Sequence, residues 1–280
     1  MQESDPAGQA LHDWSAVAPA WDRYRERLFQ QVRAVSDRLI ERVDPQLGQT
    51  LLELTAGPGE TGFLATSRLG TTGRLISSDF SRPMVQAAQR GAVERGLDNV
   101  ECRVLDATHI DLPDNSVDGI LSRFGLMLIP GQDRAIREIR RVLRPGGRCA
   151  YATWGPPDRN PWILQIVMAL LQTGWKPPGD PSAPGGMFSL ATTDANQSLA
   201  AVGGFSSVDV EEVTGTMRFE CADDYWSFNT SVAGPVAEFV GSLADGQLRD
   251  IRAVLDPSLT PFQRDGGLEL PWLSLVTSLS

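Results

Sequence analysis

Between Thr50 and Trp154 short apolar runs alternate with amphipathic ones, and this alternation constrains the fold more than any other feature of the chain. The runs Thr50 to Leu54, Arg74 to Ser78, Val100 to Leu105, Val117 to Ser122 and Arg148 to Trp154 have the length and residue types of buried strands. Helical spacing separates them, from about Glu60 to Leu69, from about Arg82 to Arg95, and in a segment whose apolar side is Ile136, Ile139, Val142 and Leu143. Pro145-Gly146-Gly147 ends that last helix ahead of the fifth strand. Five such units in about a hundred residues predict an α/β fold, a parallel sheet with helices on both faces. A ligand then belongs at the carboxyl ends of the strands, near the point where strand order reverses.

The flanks read differently. Trp14, Val17, Trp21, Tyr24, Leu28, Val32, Val35, Leu39 and Val43 recur at helical spacing, Pro19 is placed to start a second helix, and Asp44-Pro45 with Gly48 ends it. Beyond Trp154 come a Pro- and Gly-rich loop, a helix near Trp162 to Leu171 and a loop to Phe188. A helix near Thr193 to Val202, a strand from Val208 to Val213, roughly fifty residues of helical character and a last strand around Leu268 to Val276 follow. This divides one structural domain into residues 1–48, 49–155 and 156–280.

The first strand runs into a G-x-G-x-x-G at Gly57, Gly59 and Gly62, and Asp79 closes the second strand 20 residues after Gly59. That is the spacing of an adenosine site, in which an acid accepts from the ribose hydroxyls. The bland alternative makes the glycines a tight turn and Asp79 a cap for the helix at Ser81-Arg82-Pro83. Two cofactors share the geometry. A dinucleotide sets its pyrophosphate at the helix amino end, where this chain carries Glu60, with Glu53 just before the loop. S-adenosylmethionine instead carries an ammonium and a sulfonium, which suit an acidic loop. Asp106 after the third strand adds an acid able to accept from an adenine amino group, while the Ala107 N–H donates to the ring; its plainer role is a turn residue.

Those pieces resemble a class I S-adenosylmethionine-dependent methyltransferase of the ubiquinone/menaquinone-biosynthesis type, the broad type 11 group. The matching stretches are Leu52 to Gly59, Ser78 to Met84, Leu105-Asp106-Ala107, Leu112 to Asp118 and Glu138 to Gly147. The resemblance covers a little over a third of the chain. It implies a Rossmann-like seven-stranded sheet with helical cap insertions. In that frame residues 1–48 cover the cofactor, residues 49–155 bind it, and residues 156–280 complete the sheet and shape an acceptor pocket. It further implies that Glu53 orders the loop near the cofactor's amino group and that Thr55, Ala56, Gly57 and Gly59 bring backbone to the methionine part. Asp79 would hold the ribose, Phe80 and Met84 would pack on the adenine, and Asp106 with Ala107 would read its edge. Ser122 and Phe124 would face the methyl group. The chain departs from the family at Thr55, where a glycine is usual; a β-branched residue resists φ > 0, so an ordinary backbone conformation is expected there.

Methyl transfer needs alignment and exclusion of water more than a dedicated nucleophile. A hydroxyl or enol acceptor would gain from a base, for which His12 and Tyr225 are the candidates; His109 reads as a solvated loop residue. Trp14, Trp21, Trp154, Trp162, Trp175 and Trp226 fall in the segments expected to cover the strand ends, mostly as packing, the rest lining an apolar cavity. The expected acceptor is a small apolar or aromatic metabolite such as a quinol or polyketide. The alternatives are an NAD(P)-dependent oxidoreductase and a non-catalytic binding module.

Composition narrows the partners. A net charge of -10 argues against a polyanion binder. The one dense basic run, Arg134 to Arg144, reads as a solvated helix face diluted by Asp133 and Glu138. Two histidines and three scattered cysteines argue against a metal site or disulfide framework. With no apolar run near the roughly 18 residues that span a bilayer, a cytoplasmic protein without nucleic-acid or membrane partners is expected. A homodimer is compatible with the sequence.

Overall fold

The computed structural model describes residues 6–280. The strands are β1 (Thr50–Glu53), β2 (Arg74–Asp79), β3 (Val100–Val104), β4 (Val117–Arg123), β5 (Leu143–Trp154), β6 (Val208–Phe219), β7 (Gln263–Arg264) and β8 (Gly267–Leu279). They form one sheet in the order β3-β2-β1-β4-β5-β8-β6, with the two-residue β7 as a hairpin on β8. β1 to β5 are parallel, and β8 runs antiparallel between β5 and β6. The seven-stranded path matches the expected class I sheet. Strand order reverses between β1 and β4, so their carboxyl ends flank a crevice.

The helices are α1 (Pro6–Gln31), α2 (Arg33–Val43), α3 (Glu60–Leu69), α4 (Arg82–Glu94), α5 (Gln132–Val142), α6 (Pro161–Gln172), α7 (Thr193–Val202), α8 (Ala222–Val232), α9 (Gly234–Gly241) and α10 (Asp245–Leu259). Helices cover both faces of the sheet centre, which explains why Leu51, Leu52, Ile120, Leu121, Ala150 and Ala152 are apolar without alternation and fully buried. Removing one such leucine side chain costs about 2–5 kcal/mol. No described helix is long and apolar enough to cross a membrane.

Three expectations are corrected. Helix α1 runs unbroken through Pro19, although an interior proline removes a hydrogen bond. Val17 and Ala18 are buried against Met84, and the Trp21 indole N–H donates to the Val232 carbonyl at 2.8 Å, so tertiary contacts hold the helix across the gap. The break between the two amino-terminal helices falls instead at Val32. Pro145-Gly146-Gly147 does not precede β5 but lies within it: Leu143 already pairs with Val117, and the register then shifts so that Arg148 pairs with Gly119. Finally, β6 and β8 are longer than predicted because they pair along twelve residues, through segments whose alternation is imperfect.

Candidate functional site

Leaving β1, the chain takes left-handed backbone at Thr55 (φ 54°), Gly57 (φ 55°) and Gly59 (φ 87°) before α3 begins. A Cβ at Gly59 would press on the Phe63 ring, whereas one at Gly57 would meet nothing nearer than Trp21 at 3.9 Å. Gly62 serves a different purpose. A Cβ there would overlap the Glu53 carboxylate, which tucks beneath the first turn of α3 and accepts the Gly62 N–H at 2.9 Å and the Ser77 hydroxyl at 3.1 Å. Burial pushes the Glu53 carboxyl up to about 8 against those hydrogen bonds.

Thr55 contradicts the expectation of an ordinary conformation. Its hydroxyl donates to the Leu54 carbonyl at 2.5 Å and lies 2.7 Å from the Ser122 hydroxyl, which therefore donates to it. The side chain also fills the space above Gly125, where a Cβ would overlap it. A missing methylene on the neighbouring loop thus makes room for a β-branched residue where the family has glycine.

Asp79 is buried, and its carboxylate accepts the Gly57 N–H and the Ser81 N–H, each at 2.9 Å. It caps the α4 entry, as the plainer reading has it, and also ties down the glycine loop. Burial pushes it up to about 6, opposed by these backbone donors. Asp106 is exposed, and one of its oxygens takes the Thr108 N–H at 2.7 Å and hydroxyl at 2.9 Å, a turn role that leaves the other oxygen free among the described residues. Ala107 and Met84 are buried and Phe80 is half-buried, while His109 is exposed. These residues gather at the carboxyl ends of β2 and β3, beside the loop.

Helix α1 lies across them. Besides Trp21, it is fastened by Ser15 to Ser81 (3.1 Å), by Asp22 to Arg90 (2.6 Å) and by Arg27 to Asp224 (2.6 Å). Glu60, read from sequence as a free acid of the loop, is instead gripped by both nitrogen–oxygen contacts of Arg95 at 2.7 and 2.9 Å, with Arg25 at 3.9 Å. It is a strut from α3 to α4 and α1. With Glu60 paired and Glu53 buried, acidity at the loop rejects a pyrophosphate less firmly than residue types alone imply.

On the other side of the crevice, Ser122 is buried, and Phe124, itself left-handed at φ 60°, stacks on Trp154 with centroids 3.9 Å apart and planes at 9°. Trp162 and Trp272 continue this aromatic wall at 4.9 and 6.2 Å from Trp154. The remaining tryptophans pack elsewhere: Trp14 on Trp21, Trp175 near Phe239 and Trp226 under Arg252. A surface groove of about 650 Å³ lined by Trp226, Leu248, Arg252 and Pro257 contains none of the loop residues. The two base candidates fare poorly. Tyr225 is wholly buried, its hydroxyl donating to the Trp162 carbonyl at 2.7 Å and accepting the Ile166 N–H, so it is a core strut between α6 and α8 and not a base. His12 lies exposed on α1. Sequence reasoning passed over Gly125 and Arg123; the second had a signal, a charge ending an otherwise apolar strand.

Comparison with known proteins agrees with this geometry. A methyltransferase-domain family model matches residues 46–171. The aklanonic acid methyltransferase DauC of a Streptomyces species is 26% identical over 63% of this chain and 83% of its own length. The ubiquinone/menaquinone biosynthesis C-methyltransferase UbiE of Hahella chejuensis is 28% identical over 54% of this chain and 61% of its own length. Among solved structures, the YcgJ protein of Bacillus subtilis shares the fold, with a TM-score of 0.60, 17% identity and coverage of 89% of this chain and 98% of that one. Residues 46–171, on this sheet and loop, thus carry a methyltransferase domain, and the chain is similar to S-adenosylmethionine-dependent methyltransferases.

Proposed function

We propose that the protein methylates a small apolar or aromatic metabolite of the quinol or polyketide kind. The observation that carries this reading is the aromatic cluster in which half-buried Phe124, just past β4, stacks on Trp154 at the end of β5, with Trp162 of α6 and Trp272 of β8 packed behind it in the core. The names of the relatives, one acting on aklanonic acid and one in quinone biosynthesis, support it.

The residues present fit the cofactor. Gly57 leaves the loop backbone bare on the side facing α1. Asp79 keeps lone pairs beyond its two backbone donors for ribose hydroxyls. Phe80, Met84 and Ala107 offer apolar surface for adenine, and the free oxygen of Asp106 with the Ala107 N–H would read its edge. When bound, S-adenosylmethionine supplies a methyl group on a sulfonium leaving group. The chain then has to hold both partners in line and exclude water. Helix α1 and the rest of residues 1–48 close the cofactor side, and segments within 156–280 shape the acceptor side. Glu53 steadies the loop from beneath rather than touching the amino group, the Thr55 and Ser122 hydroxyls supply polar groups beside it, and the Ala56 N–H anchors the loop to Ser78. With Tyr225 engaged and His12 exposed, alignment carries the rate and no general base is assigned.

Calorimetry with S-adenosylhomocysteine, followed by mass spectrometry of a panel of hydroquinones and hydroxyanthraquinones incubated with S-adenosylmethionine, tests the proposal. A bound cofactor product and one added methyl group on an aromatic acceptor are expected. Binding of NADPH without binding of S-adenosylhomocysteine would reverse the reading in favour of an oxidoreductase. Methylation confined to polar, non-aromatic amines would refute the acceptor class.

A further inference from the structure

Among the described residues the partly buried arginines are paired, with one exception. Arg25, Arg27, Arg42, Arg103, Arg141 and Arg252 are partly buried and each holds a carboxylate. Arg123 is equally enclosed, yet among the described residues it has no carboxylate within 4.0 Å. Of the five donors of its guanidinium, one is used, toward the Ser36 hydroxyl at 3.2 Å, and the Phe29 ring centre lies 6.0 Å away. Burial pushes Arg123 down to about 10, although Glu53 and Glu60 pull the other way. Glu53 is itself pushed up to about 8, so it neutralises little of this charge at neutral pH.

The position is informative. Arg123 ends β4 next to Ser122, whose hydroxyl meets Thr55 of the glycine loop. Ser36, its hydrogen-bond partner, lies 3.0 Å from the Thr61 hydroxyl in the first turn of α3. The dipole end of that turn favours an anion, and its Gly62 N–H already meets the Glu53 carboxyl from beneath. A planar fork of donors beside it matches the paired oxygens of a carboxylate. An enclosed cation with no partner is costly to keep, which argues that its partner arrives with a ligand.

We infer that Arg123 is a carboxylate-binding residue of the site, taking either the α-carboxylate of the cofactor's methionyl part or a carboxylate on the acceptor. The inference rests on the methyltransferase reading. Its test compares wild-type protein with Arg123→Gln and Arg123→Lys, using three probes: S-adenosylhomocysteine, 5′-methylthioadenosine, which lacks the aminocarboxylate tail, and anthraquinone-2-carboxylate added to the cofactor-product complex. If the cofactor is the source, Arg123→Gln weakens S-adenosylhomocysteine by roughly 10- to 100-fold and leaves 5′-methylthioadenosine unchanged. If the acceptor is the source, both nucleosides bind as before and anthraquinone-2-carboxylate is weakened by a similar factor, while its carboxamide is not. Arg123→Lys keeps the charge without the fork, and an intermediate loss on the same probe supports the assignment even if the glutamine variant does not fold. Binding of all probes within twofold of wild type by a folded variant overturns the inference. Wild-type protein that binds neither nucleoside would instead overturn the methyltransferase reading beneath it.

Discussion

Thr55 and Gly125 are the tightest fit in the site, and their coupling can be measured. Gly125 has an ordinary backbone conformation (φ -105°, ψ -39°), so alanine there meets no conformational penalty. The obstacle is steric: its Cβ would overlap the Thr55 Oγ1 and Cβ and lie 2.8 Å from Cγ2. Thr55 cannot retreat easily, because its hydroxyl is bonded to Leu54 and Ser122 and the following Ala56 N–H donates to the Ser78 carbonyl at 2.9 Å. Overpacking of this kind costs about 1–3 kcal/mol, and three overlapping atoms put Gly125→Ala toward the upper end. Thr55→Gly removes those atoms and relieves the left-handed backbone, about 1–2 kcal/mol. It also loses the Ser122 contact, about 1 kcal/mol, and frees the unfolded chain by about 0.5–1 kcal/mol, so alone it is close to neutral. In that background Gly125→Ala should stabilise slightly, by about 0.4–1 kcal/mol. The double-mutant cycle therefore closes with a coupling of about 3–4 kcal/mol, read from urea denaturation of the four proteins. S-adenosylhomocysteine affinity should fall in Gly125→Ala and recover in the double variant. Effects that add within about 0.5 kcal/mol would refute the idea that Gly125 makes room for Thr55.

Three further outcomes are expected. Tyr225→Phe leaves the Ile166 N–H without its acceptor in the core and should destabilise by about 1–3 kcal/mol in denaturation while leaving kcat within twofold; a large loss of kcat at unchanged stability would restore the tyrosine as a base. Asp79→Asn replaces an acceptor facing the Gly57 or Ser81 N–H with a donor, so it should weaken S-adenosylhomocysteine and 5′-methylthioadenosine alike, by roughly 10- to 100-fold, as calorimetry would show. Glu53 and Asp79 hold protons in the folded state that the unfolded chain has released, up to about 8 and about 6 respectively. Their contribution to stability is full below their unfolded values near 4 and is lost as pH rises through 6 and 8, on the order of 4 kcal/mol for Glu53. Glu53→Gln should flatten denaturation midpoints measured between pH 5 and 8, and an unchanged slope would count against the cause assigned to the shift.

The parallel half of the sheet was legible because local pattern and tertiary role coincide there. Strands covered on both faces are largely apolar, so β1, β4 and the second half of β5 announced themselves, while the half-exposed edge strand β3 followed from its place in the alternation, and each helix between them shows one apolar side. Legibility failed where distant contacts outweigh local preference. Pro19 reads as a helix start, yet Val17, Ala18 and Trp21 reach Met84 and Val232 and carry α1 through it. Pro145-Gly146-Gly147 reads as a stop, yet pairing with β4 absorbs it as a register shift. Thr55 reads as incompatible with a left-handed turn, and only the absence of a side chain at Gly125, seventy residues away, permits it. None of these partners can be found by spacing alone.

Charge shows the same divide with more consequence for function. A sequence gives the number and order of carboxylates but not who neutralises them, and inferring a cofactor from acids near a loop assumes that they are free. Here Glu60 is held by Arg95 and Arg25, Glu53 is buried under Gly62, and Asp79 is committed to two backbone donors. The acids that seemed to select a cation mostly build the loop. Asp106 keeps one free oxygen, and beside these acids stands a cation without a carboxylate partner among the described residues, Arg123, near a helix start. On the two proposals made above, a ligand completing this site brings a negative group to one end and an apolar, aromatic body to the other. S-adenosylmethionine with its carboxylate, or an aromatic acid as acceptor, satisfies the first requirement, and the wall around Trp154 meets the second.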